Sequence, residues 1–223
     1  MGYRLDDKDI KLTGKQLTKV GTGVNGDVYR YHNVALKMFK KGKDTPIDQK
    51  TAEYLSNIST DRVLLPINIL LYNNTFKGYT YKLVSKKRGP GNRIIMLPKT
   101  DLVQDIRVLE KDVEVLSKKQ VLLNGVEPSN TIFNGNLYLT DPTGYRVLEG
   151  CDYKELEKIN KYQLHLLLIS LITSELRKNN FSAKVEKEIK EILEMKDEYD
   201  DSSEFFGDII GNNDTIKQFV KKI

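Results

Sequence analysis

The sequence predicts an α+β protein of two successive parts, an antiparallel sheet with one helix and then a truncated, mainly helical part. Over residues 1–84 apolar and polar residues alternate in short runs bounded by turn residues, a pattern typical of strands. Over residues 94–223 apolar residues recur every three to four positions, a pattern typical of amphipathic helices. Between these parts, "SKKRGPGNR" (85–93) replaces the apolar pattern with glycine, proline and charge, so we expect a hinge there.

Composition narrows the classes of protein to which the chain can belong. With 223 residues, 39% hydrophobic and 30% charged, the chain is long and apolar enough to bury a core. No apolar run reaches the roughly 18 residues of a membrane span, and no signal-peptide core opens the sequence. Cys151 is the sole cysteine, which excludes an internal disulfide. We therefore expect a cytoplasmic protein that does not contact a membrane.

Charge and histidine content bear on partners and metals. The net charge is +5, and the lysines of 37–43 and 82–89 form no basic helix with interleaved aromatic residues. We interpret them as a solvated basic surface, so a nucleic-acid partner is not expected. Because His32 and His165 are the only histidines, any bound metal should take oxygen ligands, as magnesium does.

Strands are expected in the first part on both sides of a glycine-rich segment. "KQLTKV" (15–20) leads into that segment, and 27–39 contains two β-rich runs separated by the turn His32-Asn33. Residues 63–84 contain two more strands around the turn residues Asn73-Asn74. These alternating runs predict a sheet of consecutive hairpins.

One helix interrupts these strands. Residues 46–59 begin with Pro46, which is favoured in the first turn of a helix. Ala52, Leu55 and Ile58 are spaced three apart and predict one apolar face. The helix should therefore pack that face on the sheet.

The second part opens with a helix and a hairpin. Residues 100–119 carry five apolar residues on one helical stripe, with Thr100 or Asp101 as the expected N-cap. Residues 131–141 should form a hairpin, since Asn134-Gly135 is favoured in a two-residue type I′ turn.

The remainder is expected to be helical. Residues 160–176 are apolar on nearly every side and predict a buried central helix. Residues 183–196 and 213–223 have the pattern of amphipathic surface helices. Between them, 196–204 is acidic and predicts an exposed loop.

The glycine-rich segment "GTGVNGDV" (21–28) is the first candidate site. Gly21, Gly23 and Gly26 follow the pattern G-x-G-x-x-G, which dinucleotide-binding folds also use, but there a helix follows the loop. Here a strand follows Gly26, so the loop should join two antiparallel strands and cover phosphates like a flap. The alternative is a glycine-rich hairpin without a ligand.

A lysine and a glutamate accompany this loop in a definite order. "VALK" ends in Lys37, eleven residues after Gly26, and Glu53 follows sixteen positions later on the predicted helix. This order resembles protein kinases, in which a strand lysine binds the α- and β-phosphates and pairs with a helix glutamate. The resemblance implies that Val28 and Ala35 also contribute to nucleotide binding.

The second half of a kinase-like site follows in residues 122–145, "LLNGVEPSNTIFNGNLYLTDPTGY". This stretch resembles the kinase catalytic loop H-R-D-x-K-P-x-N followed by D-F-G. The resemblance implies that Asn130 and Asp141 bind magnesium, at the two ends of one hairpin that faces the cleft. It covers roughly residues 14–223 and implies a compact bilobal kinase-like fold, with lobes 1–84 and 94–223.

The departures from that pattern bear on catalysis. The position of the catalytic aspartate carries Gly125, and the position of the loop lysine carries Glu127. Asp141 is retained, but Pro142 and Thr143 replace its two partners, and almost no residues remain for an activation segment. A general base contributes on the order of 10²–10⁴-fold to a rate, and glycine cannot act as one.

Three functional hypotheses follow. The leading one is a kinase-like domain that binds ATP with magnesium as a pseudokinase, or as a slow phosphotransferase, with a protein substrate or partner. The second is an active kinase or small-molecule phosphotransferase in which Glu127 or another carboxylate replaces the missing base. The third is a protein-interaction scaffold that binds no nucleotide.

Overall fold

The fold is described from a computed structural model for residues 2–6, 8–13, 15–42, 46–84, 93–194 and 201–222. Within them, one seven-stranded antiparallel sheet is followed by a mainly helical part, so the predicted α+β class is confirmed. The strands are β1 (Tyr3–Leu5), β2 (Lys8–Ile10), β3 (Leu17–Thr22), β4 (Gly26–Tyr31), β5 (Val34–Phe39), β6 (Asn68–Tyr72) and β7 (Thr75–Lys82). Across the sheet their order is β2-β1-β6-β7-β5-β4-β3.

Six helices and two short strand pairs complete the described part of the chain. The helices of the described chain are α1 (Gln49–Ser56), α2 (Lys99–Lys118), α3 (Tyr153–Lys178), α4 (Ala183–Glu194), α5 (Ser202–Ile210) and α6 (Ile216–Val220). Two short antiparallel pairs lie between α2 and α3, namely β8 (Val121–Leu122) with β11 (Arg146–Val147), and β9 (Thr131–Phe133) with β10 (Leu137–Leu139).

The hairpins of the sheet follow their turn residues. His32 and both Asn73 and Asn74 adopt positive φ, the conformation that tight hairpin turns require. The two predicted turns are therefore confirmed. Two expectations differ from the structure: β6 begins only at Asn68, five residues later than predicted, and the N-terminal strands β1 and β2 were not predicted.

Helix α1 is shorter than predicted. It begins after Asp48, whose carboxylate accepts a hydrogen bond from the Thr51 backbone N–H at 2.7 Å and caps the helix, so Pro46 lies ahead of it. The Tyr54 hydroxyl donates to the backbone oxygen of Lys119 at 2.9 Å, which ties α1 to the end of α2. Of the three residues expected on its apolar face, Ala52 and Leu55 are buried within α1, and Ile58 is buried just beyond its end.

Helix α2 has the predicted stripe but a different start. Its N-cap position is Pro98, so Thr100 and Asp101 lie inside the first turn and neither is the cap. The stripe is fully buried, with every member at most 1% exposed: Leu102, Ile106, Leu109, Val113 and Leu116.

The hairpin of residues 131–141 forms with a different turn. Phe133 pairs with Leu137, so the turn has three residues and not two, and only Gly135 takes positive φ there. Gly135 is therefore the only residue of this turn that needs the left-handed conformation.

The C-terminal helices differ from the expectation in one element. Residues 196–200 of the predicted acidic loop lie outside the described residues, but Ser202–Glu204 belong to α5 and are not a loop. Ser202 and Ser203 are buried because interior groups satisfy them: the Ser203 N–H donates to Glu110, and the Ser202 hydroxyl contacts the His165 ring.

One buried carboxylate joins the sheet to the helices. Asp112 on α2 accepts hydrogen bonds from the backbone N–H groups of Asp61, Arg62 and Val63, at 2.9, 2.6 and 2.9 Å. The same segment pairs with β10, where the Leu139 N–H donates to the Arg62 carbonyl at 2.9 Å. The connection from α1 to β6 is thus fixed to the helical part.

The predicted hinge at 85–93 lies outside the described residues except for Arg93, which donates a hydrogen bond to Asn179. In the part of the chain that the structure describes, no helix has the length and apolar character needed to cross a membrane.

Candidate functional site

A cleft of about 450 Å³ lies between the β3–β4 hairpin of the sheet and the β9–β10 hairpin of the helical part. It contains most of the residues that the sequence singled out: Gly21, Gly23, Gly26, Val28, Ala35, Lys37, Asn130 and Asp141. A larger and more open groove of about 960 Å³ runs along α2 and α3. None of the predicted site residues lines that groove, so the smaller cleft is the candidate site.

The glycine hairpin forms one wall of the cleft. The Gly23 N–H donates to the Gly26 carbonyl at 2.8 Å and closes the hairpin, as predicted for a loop between antiparallel strands. A Cβ atom at Gly26 would lie 2.6 Å from the Met38 carbonyl oxygen, so packing within the sheet requires glycine there. At Gly23 a Cβ would meet no atom closer than 3.6 Å. Packing therefore does not account for the glycine at 23, whereas close approach of a ligand would.

Lys37 and Asp141 form an ion pair at the inner end of the cleft. Lys37 comes from β5 and its side chain is only 5% exposed, whereas that of Asp141 is 27% exposed. Burial lowers the pKa of the Lys37 ammonium below its ordinary value, and the Asp141 carboxylate opposes this shift. The Asp141 carboxylate, which lies far along the chain from Lys37, thus partly compensates for the burial of the Lys37 ammonium.

The structure does not form the expected pair between Lys37 and Glu53. Glu53 is exposed on α1 and accepts a hydrogen bond from the Gln49 side chain at 2.7 Å. Successive residues of an α-helix are about 100° apart, so the burial of Ala52 turns Glu53 away from that face. The bond from Tyr54 to Lys119 holds the helix in this rotation.

Asn130 and Asp141 lie at the two ends of the β9–β10 hairpin, and both line the cleft. The Asn130 side-chain amide donates to the Gly125 carbonyl at 3.1 Å, which leaves its amide oxygen free of that bond. Asp141 adopts the left-handed conformation, with φ 61° and ψ 69°. Such sparsely populated conformations in non-glycine residues concentrate at functional sites.

The outer part of the cleft is apolar. Val28 and Ala35 line it from the sheet, Ile132 from the opposite hairpin, and Leu83 and Val84 from the chain that follows β7. A mostly apolar slot that leads to a buried charge suits a ligand with an apolar ring at one end and anionic groups at the other.

Gly125 lies beside the cleft in an unusual backbone conformation. Its φ is +72°, in the left-handed region that favours glycine. Gly144, in the turn after Asp141, packs directly on this loop: a Cβ at Gly144 would lie 2.1 Å from the Asn124 carbonyl oxygen. The backbone of the loop at Asn124 and Gly125 is therefore in contact with a second glycine.

Glu127 does not line the cleft. It is exposed, and its carboxylate accepts a bond of 3.4 Å from the neighbouring Ser129 hydroxyl. The structure therefore does not bring Glu127 together with Lys37, Asn130 and Asp141.

Asn160 is a site residue that sequence reasoning missed. It lies on α3, is fully buried, and accepts a hydrogen bond from the Leu123 backbone N–H at 2.8 Å. Its amide donates to the Val121 carbonyl and the Ser117 hydroxyl, at 2.8 and 2.9 Å. Asn160 thus positions the strand that leads into the Gly125 loop. Lys158 and Lys161 lie beside it in the sequence, so no local pattern distinguished Asn160 from the exposed polar residues of α3, and only the fold shows its burial.

The oxygen groups in the cleft are suited to a cation that also binds a ligand. Among the described residues no group of three or more histidine, cysteine, aspartate and glutamate side chains could hold a metal ion. Asn130 and Asp141 offer an amide and a carboxylate oxygen, which is the sparse protein ligand set of a magnesium ion that binds substrate phosphates. The donor set thus fits magnesium together with an anionic ligand better than magnesium alone.

A scan against protein-family models and a search of curated proteins found no match to this chain.

Proposed function

We propose that this chain is a compact bilobal protein-kinase-like domain that binds ATP with magnesium. The sheet with α1 would be the N-terminal lobe, and α2–α6 would be the truncated C-terminal lobe. The antiparallel order β3-β4-β5-β7-β6, with α1 between β5 and β6 in the chain, supports this proposal. The placement of the glycine hairpin and the β9–β10 hairpin on the two sides of one cleft supports it further.

The observation that carries the proposal is the Lys37–Asp141 pair at the inner end of that cleft. Desolvating an ammonium and a carboxylate costs free energy, and their mutual attraction often fails to offset it. A protein that needed only a packed interior would be at least as stable with apolar residues at both positions. The pair is therefore best explained by a ligand that uses both charges.

Each residue has a definite role in this proposal. Val28, Ala35 and Ile132 would hold the adenine ring in the apolar slot, and Lys37 would leave Asp141 to neutralise the phosphates. Asn130 and Asp141 would bind magnesium, which neutralises the charge of the phosphate oxygens. The backbone of the glycine hairpin would cover the phosphates, because the absence of side chains allows its N–H groups to approach them.

Phosphoryl transfer should be weak or absent. No carboxylate stands at Gly125, and Glu127 is exposed outside the cleft. We therefore favour a pseudokinase or a slow phosphotransferase with a protein partner or substrate over an active kinase that uses Glu127. A scaffold without nucleotide binding would leave the Lys37–Asp141 pair unexplained.

Calorimetric titration with ATP, with and without magnesium, tests the proposal. We expect binding that magnesium strengthens, and at least a tenfold loss of affinity in Lys37→Ala, since bonds to charged groups are worth about 1.5–3 kcal/mol. Glu53→Gln should bind as the natural chain does, because Glu53 is exposed and paired with Gln49. No binding of ATP at millimolar concentration would refute the proposal.

A further inference from the structure

Tyr79 presents a buried hydroxyl next to the Lys37–Asp141 pair. It lies on β7 directly opposite Lys37 of β5, so the two side chains share one face of the sheet. The residue is fully buried, yet its hydroxyl makes no well-formed hydrogen bond with any described residue. An unsatisfied buried hydroxyl is costly, and a phenylalanine would fill the same space without that cost.

The charge of Asp141 reaches this hydroxyl. Burial is the main cause that raises the pKa of the Tyr79 phenol, and the negative charge of Asp141 raises it further. Asp141 is bound to Lys37, and Tyr79 lies directly opposite Lys37 on the same face of the sheet, so the phenol lies on the side of the sheet where this carboxylate is bound, although its hydroxyl forms no regular hydrogen bond there.

Helix α1 contributes no carboxylate next to the Lys37–Asp141 pair, whereas Tyr79 lies directly opposite Lys37. The face of α1 that is buried presents Ala52, which has no polar group, while Glu53 points to solvent. The resemblance to protein kinases predicted that Glu53 pairs with Lys37, but in the structure Glu53 binds Gln49 and does not reach Lys37.

We propose that Tyr79 is the positioning residue of this site in place of Glu53. Its hydroxyl donates to the Asp141 carboxylate when Lys37 turns to a bound phosphate, and it thereby holds that carboxylate in the orientation that binds magnesium. The inference rests on the proposed function, since it requires that ATP and magnesium occupy the cleft. Tyr79 itself touches neither.

Tyr79→Phe tests this proposal, with Tyr138→Phe as its matched control. Tyr138 is also a buried tyrosine, but its hydroxyl accepts a hydrogen bond from Arg62 at 3.0 Å and it does not line the cleft. Without ligand, Tyr79→Phe should keep or raise the melting temperature, because it removes an unpaired hydroxyl. Tyr138→Phe should lower it, because it leaves Arg62 without this acceptor.

Titration with ATP gives the decisive readout. Tyr79→Phe should lose about tenfold or more in affinity for ATP with magnesium, and clearly less for ATP alone, because the hydroxyl orients the carboxylate that binds the metal. Tyr138→Phe should keep the natural magnesium dependence. Equal magnesium dependence in Tyr79→Phe and the natural chain would overturn the inference while leaving nucleotide binding intact. A melting temperature that falls as far as in Tyr138→Phe would also overturn it, since the hydroxyl would then be structural. If the natural chain binds no ATP, the proposed function fails and this inference fails with it.

Discussion

The buried hydrogen bonds of Asn160 allow a test of how the backbone next to the candidate site is stabilised. Asn160→Ala removes three hydrogen bonds of 2.8–2.9 Å from fully buried surroundings. At a net value of about 1 kcal/mol each they amount to about 3 kcal/mol. The Leu123 N–H and the Val121 carbonyl would be left buried without these partners, which raises the expected loss of unfolding free energy to about 4 kcal/mol. This is a large effect for a residue that touches no ligand.

The same substitution should weaken ligand binding. Leu123 precedes Gly125 by two residues, and the Gly125 carbonyl accepts the bond that orients Asn130. Release of Leu123 therefore loosens the loop that orients Asn130, the proposed magnesium ligand. We expect a several-fold loss of affinity for ATP with magnesium and a smaller loss without it.

Urea unfolding followed by far-ultraviolet circular dichroism measures the stability, because the chain contains no tryptophan. Asn57→Ala is the control: Asn57 ends helix α1, and its amide donates a single side-chain hydrogen bond, to the Glu53 carbonyl at 2.8 Å, at an exposed site. It should lose only about 1 kcal/mol. Similar losses in the two variants, or a loss below about 1 kcal/mol in Asn160→Ala, would refute the reasoning.

Two further pairs of variants test an ionisation state and a glycine. Burial raises the pKa of Glu110 above its ordinary 4.5, so the folded state binds the proton more tightly. Glu110→Gln should therefore exceed the natural chain in stability at neutral pH, and this gain should vanish as the pH falls through the raised pKa to below 4.5. Glu114→Gln, one turn along α2, should instead be less stable than the natural chain at neutral pH, because the bond from Lys118 lowers the Glu114 pKa. Urea unfolding at several pH values measures both variants. Stability changes of the same sign at neutral pH would contradict the prediction. Gly26→Ala should cost about 1–3 kcal/mol of stability, because its Cβ would strike the neighbouring strand. Gly23→Ala should keep the stability and weaken ATP binding, since its Cβ meets no close atom. Equal losses of stability in the two variants on thermal unfolding would be inconsistent with this.

Local patterns were sufficient for most of the fold. The turn residues Asn73 and Asn74 take positive φ, as asparagine readily does, and so the hairpin followed from the sequence. The buried stripe of α2 followed from its 3.6-residue period. The strands β1 and β2 have only three residues each, too few for a pattern to be recognised, and β1 is stabilised by pairing with β6 far along the chain. Such non-local contacts leave no local signal.

Helix α5 was missed for a different reason. Its first residues are serines and a glutamate, which in isolation indicate a loop, and Gly207 lies in its middle. Phe205 and Phe206 are nevertheless buried next to the ring of His165 on α3. Tertiary burial of two large rings thus outweighs the weak helix propensity of the segment.

In the candidate site, spacing along the chain identified the residues but not their partners. Lys37, Asn130 and Asp141 meet in one cleft, as their order in the sequence led us to expect. The partner of Lys37 differs, because the rotation of α1 is set by Ala52, Leu55 and the Tyr54–Lys119 bond, none of which the spacing of Lys37 and Glu53 records. One residue of difference in helix phase turns a side chain by about 100°.

Gly125 is part of a local packing arrangement that also includes Gly144. With φ +72°, the backbone there disfavours most side chains, although aspartate tolerates this region better than most residues. A Cβ at Gly125 would meet the Gly144 Cα at 3.7 Å, which is ordinary contact, so an aspartate would fit but would rest against the turn that follows Asp141. Gly144 itself has no such freedom, because a Cβ there would strike the Asn124 carbonyl. The two glycines thus allow the loop and the turn to approach more closely than side chains at both positions would permit. An aspartate placed at position 125 would therefore have enough space, but the turn that contains Gly144 would determine the direction of its carboxylate.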